Sequence, residues 1–208
     1  DQQDAGEIGK PVCLKQFNNM QMYLKKLPGL TLVTGESKGG KSVLVSNITE
    51  ELAYEGKPVL YITNEMDEFQ VTARIARIHL ARRRGIVIGT NSFEDDETDE
   101  DVRRLNREMK DTPIADLVSL VHKSDITIEE VEAVIERVVS ERGTDLVVII
   151  DQFTNLTSRA GSRTNNDVAV RNDIATRVKV ISGKFRIPIF LVCQINRESK
   201  KDKRKPEK

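Results

Sequence analysis

The chain contains few of the residues that build disulfide frameworks, metal clusters or aromatic surfaces. Its 208 residues include two cysteines, two histidines and no tryptophan, and 4% are aromatic. Cys13 and Cys193 are isolated and lack metal-ligand spacing, which indicates small apolar residues in a reducing compartment. His79 and His122 stand apart from any ligand cluster, so we expect an ordinary helix residue and an ordinary strand residue.

Long apolar runs and a net charge are missing as well. No stretch approaches the roughly 18 consecutive apolar residues of a membrane span, so we expect no membrane partner and a cytoplasmic location, in the host if the chain is viral. Asp1–Asp4 is acidic and polar, which excludes a secretion signal, and the missing initial Met indicates a fragment or a processed chain. With 38% apolar and 32% charged residues and a net charge of +0, the composition predicts a solvated α/β domain with a substantial core.

Charge is nevertheless distributed unevenly along the chain. Residues 94–101 are almost wholly acidic, and we expect a solvated loop leading into a helix N-terminus, where negative charge is favourable. Residues 197–208 are rich in lysine and arginine. This tail could bind phosphate groups or could be a mobile solvated segment, and charge alone does not decide between them.

Apolar segments alternate with helical patterns from residue 29 onward. Each apolar segment is nearly continuous, which predicts an α/β fold with a mostly parallel central sheet and helices on both faces. We divide the chain into a lead-in segment with a helix, residues 1–28, and one domain, residues 29–208. The predicted strands are Leu30–Thr34, Pro58–Thr63, Leu117–Val121, Leu146–Ile150 and Pro188–Val192. The predicted helices are Ser42–Tyr54, Glu68–Arg83, Asp99–Met109, Ile128–Arg142 and Asp167–Phe185, with Thr127 and Glu130 forming a capping box before the fourth.

A phosphate-binding loop is the most specific motif in the sequence. Residues 35–42 fit the pattern Gly-x-x-x-x-Gly-Lys-Ser/Thr, between a predicted strand and a predicted helix, which is the context this motif needs. Backbone N–H groups of such a loop converge on phosphate oxygens, the lysine reaches the β and γ phosphates, and the serine ligates Mg²⁺. The residues predicted to bind nucleotide here are Gly35, Glu36, Ser37, Lys38, Gly39, Gly40, Lys41, Ser42 and Val43.

Three further predicted strands end in polar side chains that could face the same ligand. Asp151 follows an apolar strand and could hold Mg²⁺ beside Ser42, because ligands sit at the carboxyl ends of parallel strands. Glu65 could polarise the water that attacks the γ phosphate, or could simply belong to a helix N-cap region. Gln194 could contact the γ phosphate, or could be a polar strand end meeting water.

These motifs, in this order, resemble the RecA-type ATPase core and most closely the DnaB family of replicative hexameric helicases. The residues that carry the resemblance are Gly35–Ser42, Thr63–Met66, Ile149–Phe153 and Cys193–Arg197. The resemblance implies ATP and Mg²⁺ as cofactors, with Glu65, Lys41 and Gln194 in catalysis and Arg74 near the nucleotide. It also implies a homo-oligomeric ring, expected to be a hexamer, that acts on single-stranded DNA and interacts with a primase or a helicase loader.

The same resemblance implies two DNA-contacting loops, and the sequence departs from the family pattern in one respect. Basic side chains on pore loops grip backbone phosphates without reading sequence. The candidates are Arg159, Arg163, Arg197, Lys200 and Lys201. The family continues into a strand that carries an arginine finger, and this sequence stops at Lys208 before such a strand. We therefore expect ATP binding with poor hydrolysis, since a finger can contribute roughly 10³–10⁵ in rate.

Three alternatives to a helicase motor domain remain open at this point. A strand-exchange recombinase shares the fold, although Glu65-Met66 and Gln194–Arg197 favour a helicase. A P-loop kinase would need an arginine-rich lid, for which Arg82–Arg84 could be nominated, although we expect the basic end of a helix. A non-catalytic nucleotide-binding subunit would use ATP only to stabilise an interface. The presence of Lys41, Ser42, Glu65 and Asp151 argues against it, and the missing arginine finger argues for it if the chain is natural as given.

Overall fold

The computed structural model describes residues 29–87, 107–110, 112–158 and 167–195. These residues form one five-stranded sheet in which every strand pair is parallel, in the order β1-β5-β4-β2-β3. The strands are β1 (Gly29–Gly35), β2 (Val59–Thr63), β3 (Val118–His122), β4 (Val147–Asp151) and β5 (Pro188–Gln194). The helices are α1 (Lys41–Tyr54), α2 (Glu68–His79), α3 (Pro113–Leu117), α4 (Ile128–Arg142) and α5 (Asp167–Phe185). The α/β fold with a parallel sheet, expected from the alternation of patterns, is confirmed.

Two apolar layers cover the sheet because successive strand residues point to opposite faces. Leu60, Ile62, Val148 and Ile150 pack with α4 and α5 on one face. The alternate residues Val59, Tyr61, Val147 and Ile149 pack with α1 and α2 on the other. Both faces of the central strands are buried, which explains why these strands read as unbroken apolar runs.

Helix α4 forms as its sequence predicts. Its bounds coincide with the predicted ones, and Thr127 accepts a hydrogen bond from the Glu130 N–H at 3.3 Å while the Glu130 side chain accepts one from the Thr127 N–H at 3.0 Å. This reciprocal capping box satisfies two donors that the helix itself cannot. The capping prediction is confirmed.

Several predicted boundaries shift by one or two residues, and in two places the type of element is wrong. Leu117 was expected to begin a strand, but it ends α3, which Pro113 opens, and β3 starts at Val118. The second predicted helix is α-helical only to His79, and a π-helical turn at Leu80–Arg84 follows. Arginine side chains from that turn reach glutamates on α1, and such long-range ion pairs leave no periodic signal in the sequence. Of the predicted helix Asp99–Met109, residues 107–109 lie in the described part and are helical.

The sheet order brings the polar strand ends to one edge. Gly35 of β1 is the parallel partner of Gln194 of β5, and Thr63 of β2 is the partner of Asp151 of β4. Strand β5 lies between β1 and β4, so the loop after β1 and the carboxylate that ends β4 are separated by one strand. The carboxyl edge of the sheet is therefore where a ligand site is assembled. No helix in the described parts of the chain has the length and hydropathy to cross a membrane.

Candidate nucleotide site

The loop between β1 and α1 is shaped by its glycines. A Cβ at Gly39 would lie 2.9 Å from the carbonyl oxygen of Glu36, and Gly40 adopts a left-handed φ of 80°. Gly40 is also the N-cap of α1, and no side chain caps this helix. The first N–H groups of α1 are thus left without a capping side chain, and together with the helix dipole they form an anion-binding end.

Lys41 and Ser42 are the first residues of α1. Lys41 contacts the phosphate loop, and Ser42 contacts the end of β4. The Lys41 ammonium donates to the carbonyl oxygen of Glu36 at 2.7 Å, and the residue is only 7% exposed. The Ser42 hydroxyl donates to Asp151 Oδ1 at 3.3 Å, across the sheet edge from α1 to β4. A hydroxyl and a carboxylate oxygen are therefore adjacent beside the phosphate loop.

Asp151 is buried with two hydroxyl donors. Its second oxygen accepts a hydrogen bond from the Tyr61 hydroxyl at 2.7 Å, and Asp151 is 2% exposed. Burial, followed by the charge of Asp151 and this hydrogen bond, raises the pKa of Tyr61 well above its ordinary value, so the phenol remains a donor. Tyr61 thus orients the carboxylate while leaving it negatively charged, as a metal ligand requires.

Glu65 lies just beyond β2, and a different residue caps the next helix. Asp67 is the N-cap of α2, where its Oδ1 accepts the Gln70 N–H at 2.8 Å. Glu65 Oε2 instead accepts a hydrogen bond from Gln152 Nε2 at 2.6 Å. The N-cap role that the sequence left open for Glu65 therefore belongs to Asp67.

These side chains surround one cavity of about 470 Å³ at the carboxyl edge of the sheet. It joins the phosphate loop to the ends of β2 and β5 and to one face of α2. Its lining includes predicted site residues and three that were not predicted, Met66, Gln70 and Gln152. The predicted residues that line it are Ser37, Lys38, Gly39, Gly40, Lys41, Ser42, Val43, Glu65, Arg74 and Gln194. Arg74 is partly buried at this cavity.

The remaining predicted residues stand behind the cavity or outside the described chain. Gly35 and Glu36 shape the loop, and Asp151 is reached through Ser42 rather than directly from the cavity. The candidate DNA contacts all lie outside the described residues, as do the lead-in segment 1–28 and the acidic run. Those candidates are Arg159, Arg163, Arg197, Lys200 and Lys201.

A second, smaller cavity of about 240 Å³ adjoins the first. The two cavities share Glu65, Gln152 and Gln194, and the smaller one adds Arg171 from α5. Sequence reasoning missed Gln152, although its position directly after Asp151 at a strand end was a usable signal. It also missed Arg171, for which the helical pattern of α5 contains no signal.

The arginine triplet nominated as a lid is engaged elsewhere. Arg82 and Arg83 contact Glu50, which has no exposed surface and also accepts from His79 Nδ1 at 2.9 Å. Arg84 pairs with Glu108. The triplet belongs to a π-helical turn joined to the far end of α1, which explains its charge without a second substrate.

The donor set beside the phosphate loop fits Mg²⁺. The described residues contain no cluster of three or more histidine, cysteine or acidic side chains that could hold a metal by themselves. Ser42 and Asp151 offer two adjacent hard oxygen donors, and Mg²⁺ in such sites takes one or two protein ligands plus substrate phosphates and water.

Fold and site together define a P-loop ATPase of RecA type, with one strand inserted between the phosphate-loop strand and the strand ending in Asp151. The family model of the DnaB-like helicase C terminal domain matches residues 11–208, and the chain belongs to that family. It is accordingly an ATP-hydrolysing DnaB-like helicase domain, as the DnaB resemblance predicted.

Solved structures agree on the fold at low sequence identity. The ATPase domain of G40P superimposes with a TM-score of 0.76 and 15% identity, over 96% of this chain and 69% of that one. A DnaB-like replicative helicase, described with its interactions with primase, superimposes with a TM-score of 0.66 and 14% identity, over 86% of this chain and 42% of that one. A comparison with curated proteins found no match.

Proposed function

We propose that this domain couples ATP hydrolysis to movement along single-stranded DNA as one subunit of a homo-oligomeric ring, expected to be a hexamer. The observation that supports this proposal best is the convergence of three strand ends on one cavity. Lys41 follows β1, Glu65 follows β2 and Gln194 ends β5, and all three line the cavity of about 470 Å³. Phosphoryl transfer to water needs a cationic side chain that binds the phosphates, a general base and a group that contacts the γ phosphate.

Each residue takes a role that its geometry permits. Lys41, nearly buried at the loop, neutralises the β and γ phosphates. Glu65, whose other oxygen is held by Gln152, accepts the proton of the attacking water. Gln194 donates a hydrogen bond from its amide to the γ phosphate and changes partners once that phosphate leaves. Arg74 lines the same cavity and adds a second positive charge.

Ser42 and Asp151 would hold Mg²⁺, which when bound supplies positive charge to the β and γ phosphate oxygens. Tyr61 keeps Asp151 in the orientation that places one carboxylate oxygen next to the Ser42 hydroxyl. The proposed pair of ligands is therefore prearranged by the contacts between β2, β4 and α1.

The DNA contacts are proposed from sequence and chain order. The candidate loop with Arg159 and Arg163 follows the segment that begins at Gln152, and the basic stretch from Arg197 follows Gln194 by three positions. Both candidate loops thus continue from strand ends that line the site, so a change at the γ phosphate could reach the DNA. By likeness to a helicase described with primase, a primase or loader is the proposed protein partner, and the cytoplasm is the proposed location.

The test is steady-state ATP hydrolysis with and without single-stranded DNA. We expect DNA to stimulate turnover. Glu65→Gln should retain ATP binding and lower turnover by roughly 10²–10⁴-fold, the usual contribution of a general base. ATP affinity is measured on the same samples, so that lost binding is not mistaken for lost chemistry.

The outcomes separate the alternatives. Turnover without any response to DNA would contradict the helicase motor and favour a kinase or an assembly subunit. Full activity of Glu65→Gln would contradict only the choice of base.

A further inference from the structure

Gln152 combines three unusual properties directly after the strand that ends in Asp151. Its φ is 70° and its ψ is 62°, a left-handed conformation that residues other than glycine rarely adopt. It is 7% exposed, although its side chain is polar. Its amide donates to Glu65 Oε2 at 2.6 Å. A strained backbone at a candidate active site is an observation from which a role can be inferred.

The backbone of Gln152, like its side chain, is hydrogen-bonded to the segment that follows β2. Asn64, the residue before Glu65, donates from Nδ2 to the carbonyl oxygen of Gln152 at 3.1 Å. The ends of β2 and β4 are therefore joined by two hydrogen bonds that run in opposite directions. Asn64 fixes the Gln152 backbone, and Gln152 in turn fixes the Glu65 carboxylate.

This arrangement suits a general base, Glu65, whose carboxylate must be held in a fixed orientation. Glu65 is otherwise exposed, and an exposed glutamate side chain samples several rotamers. A neutral amide bound to one carboxylate oxygen restricts that freedom without cancelling the negative charge. The second oxygen stays available to the cavity that Glu65, Gln152 and Gln194 share.

We infer that Gln152 is the positioning residue for Glu65 and that its left-handed backbone sets the reach of its amide. The inference rests on the proposed function of Glu65 as the base.

The experiment compares substitutions that separate the amide from the backbone conformation. Gln152→Gly tolerates a left-handed φ better than glutamine does but has no amide. Gln152→Asn also suits that backbone, yet its amide is one methylene shorter and should not reach Glu65. For each variant, ATP turnover at saturating ATP with single-stranded DNA, ATP affinity and urea unfolding are measured.

We expect both variants to lose about 10- to 100-fold in kcat, the equivalent of one hydrogen bond to a charged group, with ATP affinity unchanged. Arg186→Gly is the matched control. Arg186 is an exposed residue in the turn before β5 with a φ of 55°, so glycine relieves the same kind of backbone strain far from Glu65 along the chain. It should gain stability from the relieved backbone strain and leave kcat unchanged.

Three results would overturn the inference. Wild-type kcat in Gln152→Gly would show that only the backbone conformation matters. Parallel losses of kcat, ATP affinity and stability in both variants would indicate a merely structural role. If Glu65→Gln, measured alongside, hydrolyses ATP at the wild-type rate, the base itself is wrong, and that result is distinct from a failure of Gln152 alone.

Discussion

The two ends of α1 each carry buried charge, and they satisfy it in opposite ways. At its start, Lys41 donates to a backbone carbonyl, and Asp151 beside it is held by two hydroxyls. Near its other end, about 14 Å along the helix, Glu50 has no exposed surface and is contacted by Arg82, Arg83 and His79. One end leaves its charges for a ligand, and the other neutralises its charge within the fold.

The N-terminal end of α1 therefore serves ligand binding, and the region near its C-terminal end serves stability. A buried carboxylate with two arginines and an imidazole gains enough partners to offset its desolvation. Arg83 also stacks over Tyr54 at 3.8 Å, which ties the π-helical turn to the same end of α1. Asp151 has no ion-pair partner among the described residues, so its burial costs stability until a cation binds.

The largest effect should come from the ligand end. Lys41→Ala should lower ATP affinity by roughly 30-fold or more, since a desolvated pair of this kind contributes about 2–5 kcal/mol. Isothermal titration with ATP and Mg²⁺ measures the change. Lys57→Ala is the control, because Lys57 pairs with the exposed Asp145 and should leave affinity unchanged. Equal ATP affinity in Lys41→Ala and the parent chain would remove the contrast between the two ends.

The other end should respond in stability rather than in binding. Glu50→Ala leaves the buried His79 without its partner and removes one acceptor from Arg82 and Arg83, which keep Glu51. We expect a loss of about 1–3 kcal/mol in the free energy of unfolding, the cost of an unsatisfied buried polar group. Urea denaturation measures the loss. Glu132→Ala, which breaks an exposed pair with Lys184 at 2.7 Å, is the control and should change stability little. If both substitutions cost the same, the buried cluster has no special structural role.

Asp151→Asn tests the contrast directly, because it removes a buried charge from the ligand end. Without nucleotide we expect stability to be unchanged or up to about 1 kcal/mol higher, since an unneutralised carboxylate is no longer buried. The rise in Tm on adding ATP with Mg²⁺ should disappear. Thermal unfolding with and without nucleotide gives both numbers. A loss as large as that of Glu50→Ala would mean that Asp151 is primarily structural.

Tyr61→Phe should give the smallest effect, and one that depends on pH. Because burial and Asp151 raise the pKa of Tyr61, its contribution is complete below the unfolded-state value and declines as the pH rises above it. We expect a cost of about 1 kcal/mol at pH near 8, shrinking above pH of about 10, where unfolded tyrosine ionises. Urea unfolding of Tyr61→Phe and the parent chain, near pH of about 8 and above pH of about 10, measures the difference in the free energy of unfolding. A constant difference would place the effect in packing rather than in the hydroxyl.

Much of the fold could be predicted because its signals are local. Helix α4 was predicted to the residue, since a capping box marks its start and apolar spacing marks its length. The two errors that change the type of element, at Leu117 and after His79, fall where local signals conflict with distant contacts. Ion pairs from Arg82 and Arg83 to α1 span more than 30 residues of sequence, and no periodicity reports them.

The candidate site divides in the same way. Lys41, Ser42, Asp151, Glu65 and Gln194 could be nominated because each sits in a motif or at a strand end. Which strand ends are neighbours could not be derived without the sheet order, since β5 is last in sequence but lies between β1 and β4. The contact between Gln152 and Glu65 was missed because it depends on β2 and β4 being neighbours in the sheet.

By itself, the sequence determined the class of fold, the phosphate loop and the residues that could act on a nucleotide, because glycine spacing and strand-end chemistry depend on near neighbours. Only the tertiary structure decided which carboxylates are available to a ligand. Asp67 became a helix cap, Glu50 was neutralised by arginines, Asp151 was held by two hydroxyls, and Glu65 was held by an amide at the cavity. The physical reason is that the fate of a carboxylate depends on its burial and its partners, and these come from parts of the chain that only folding brings together.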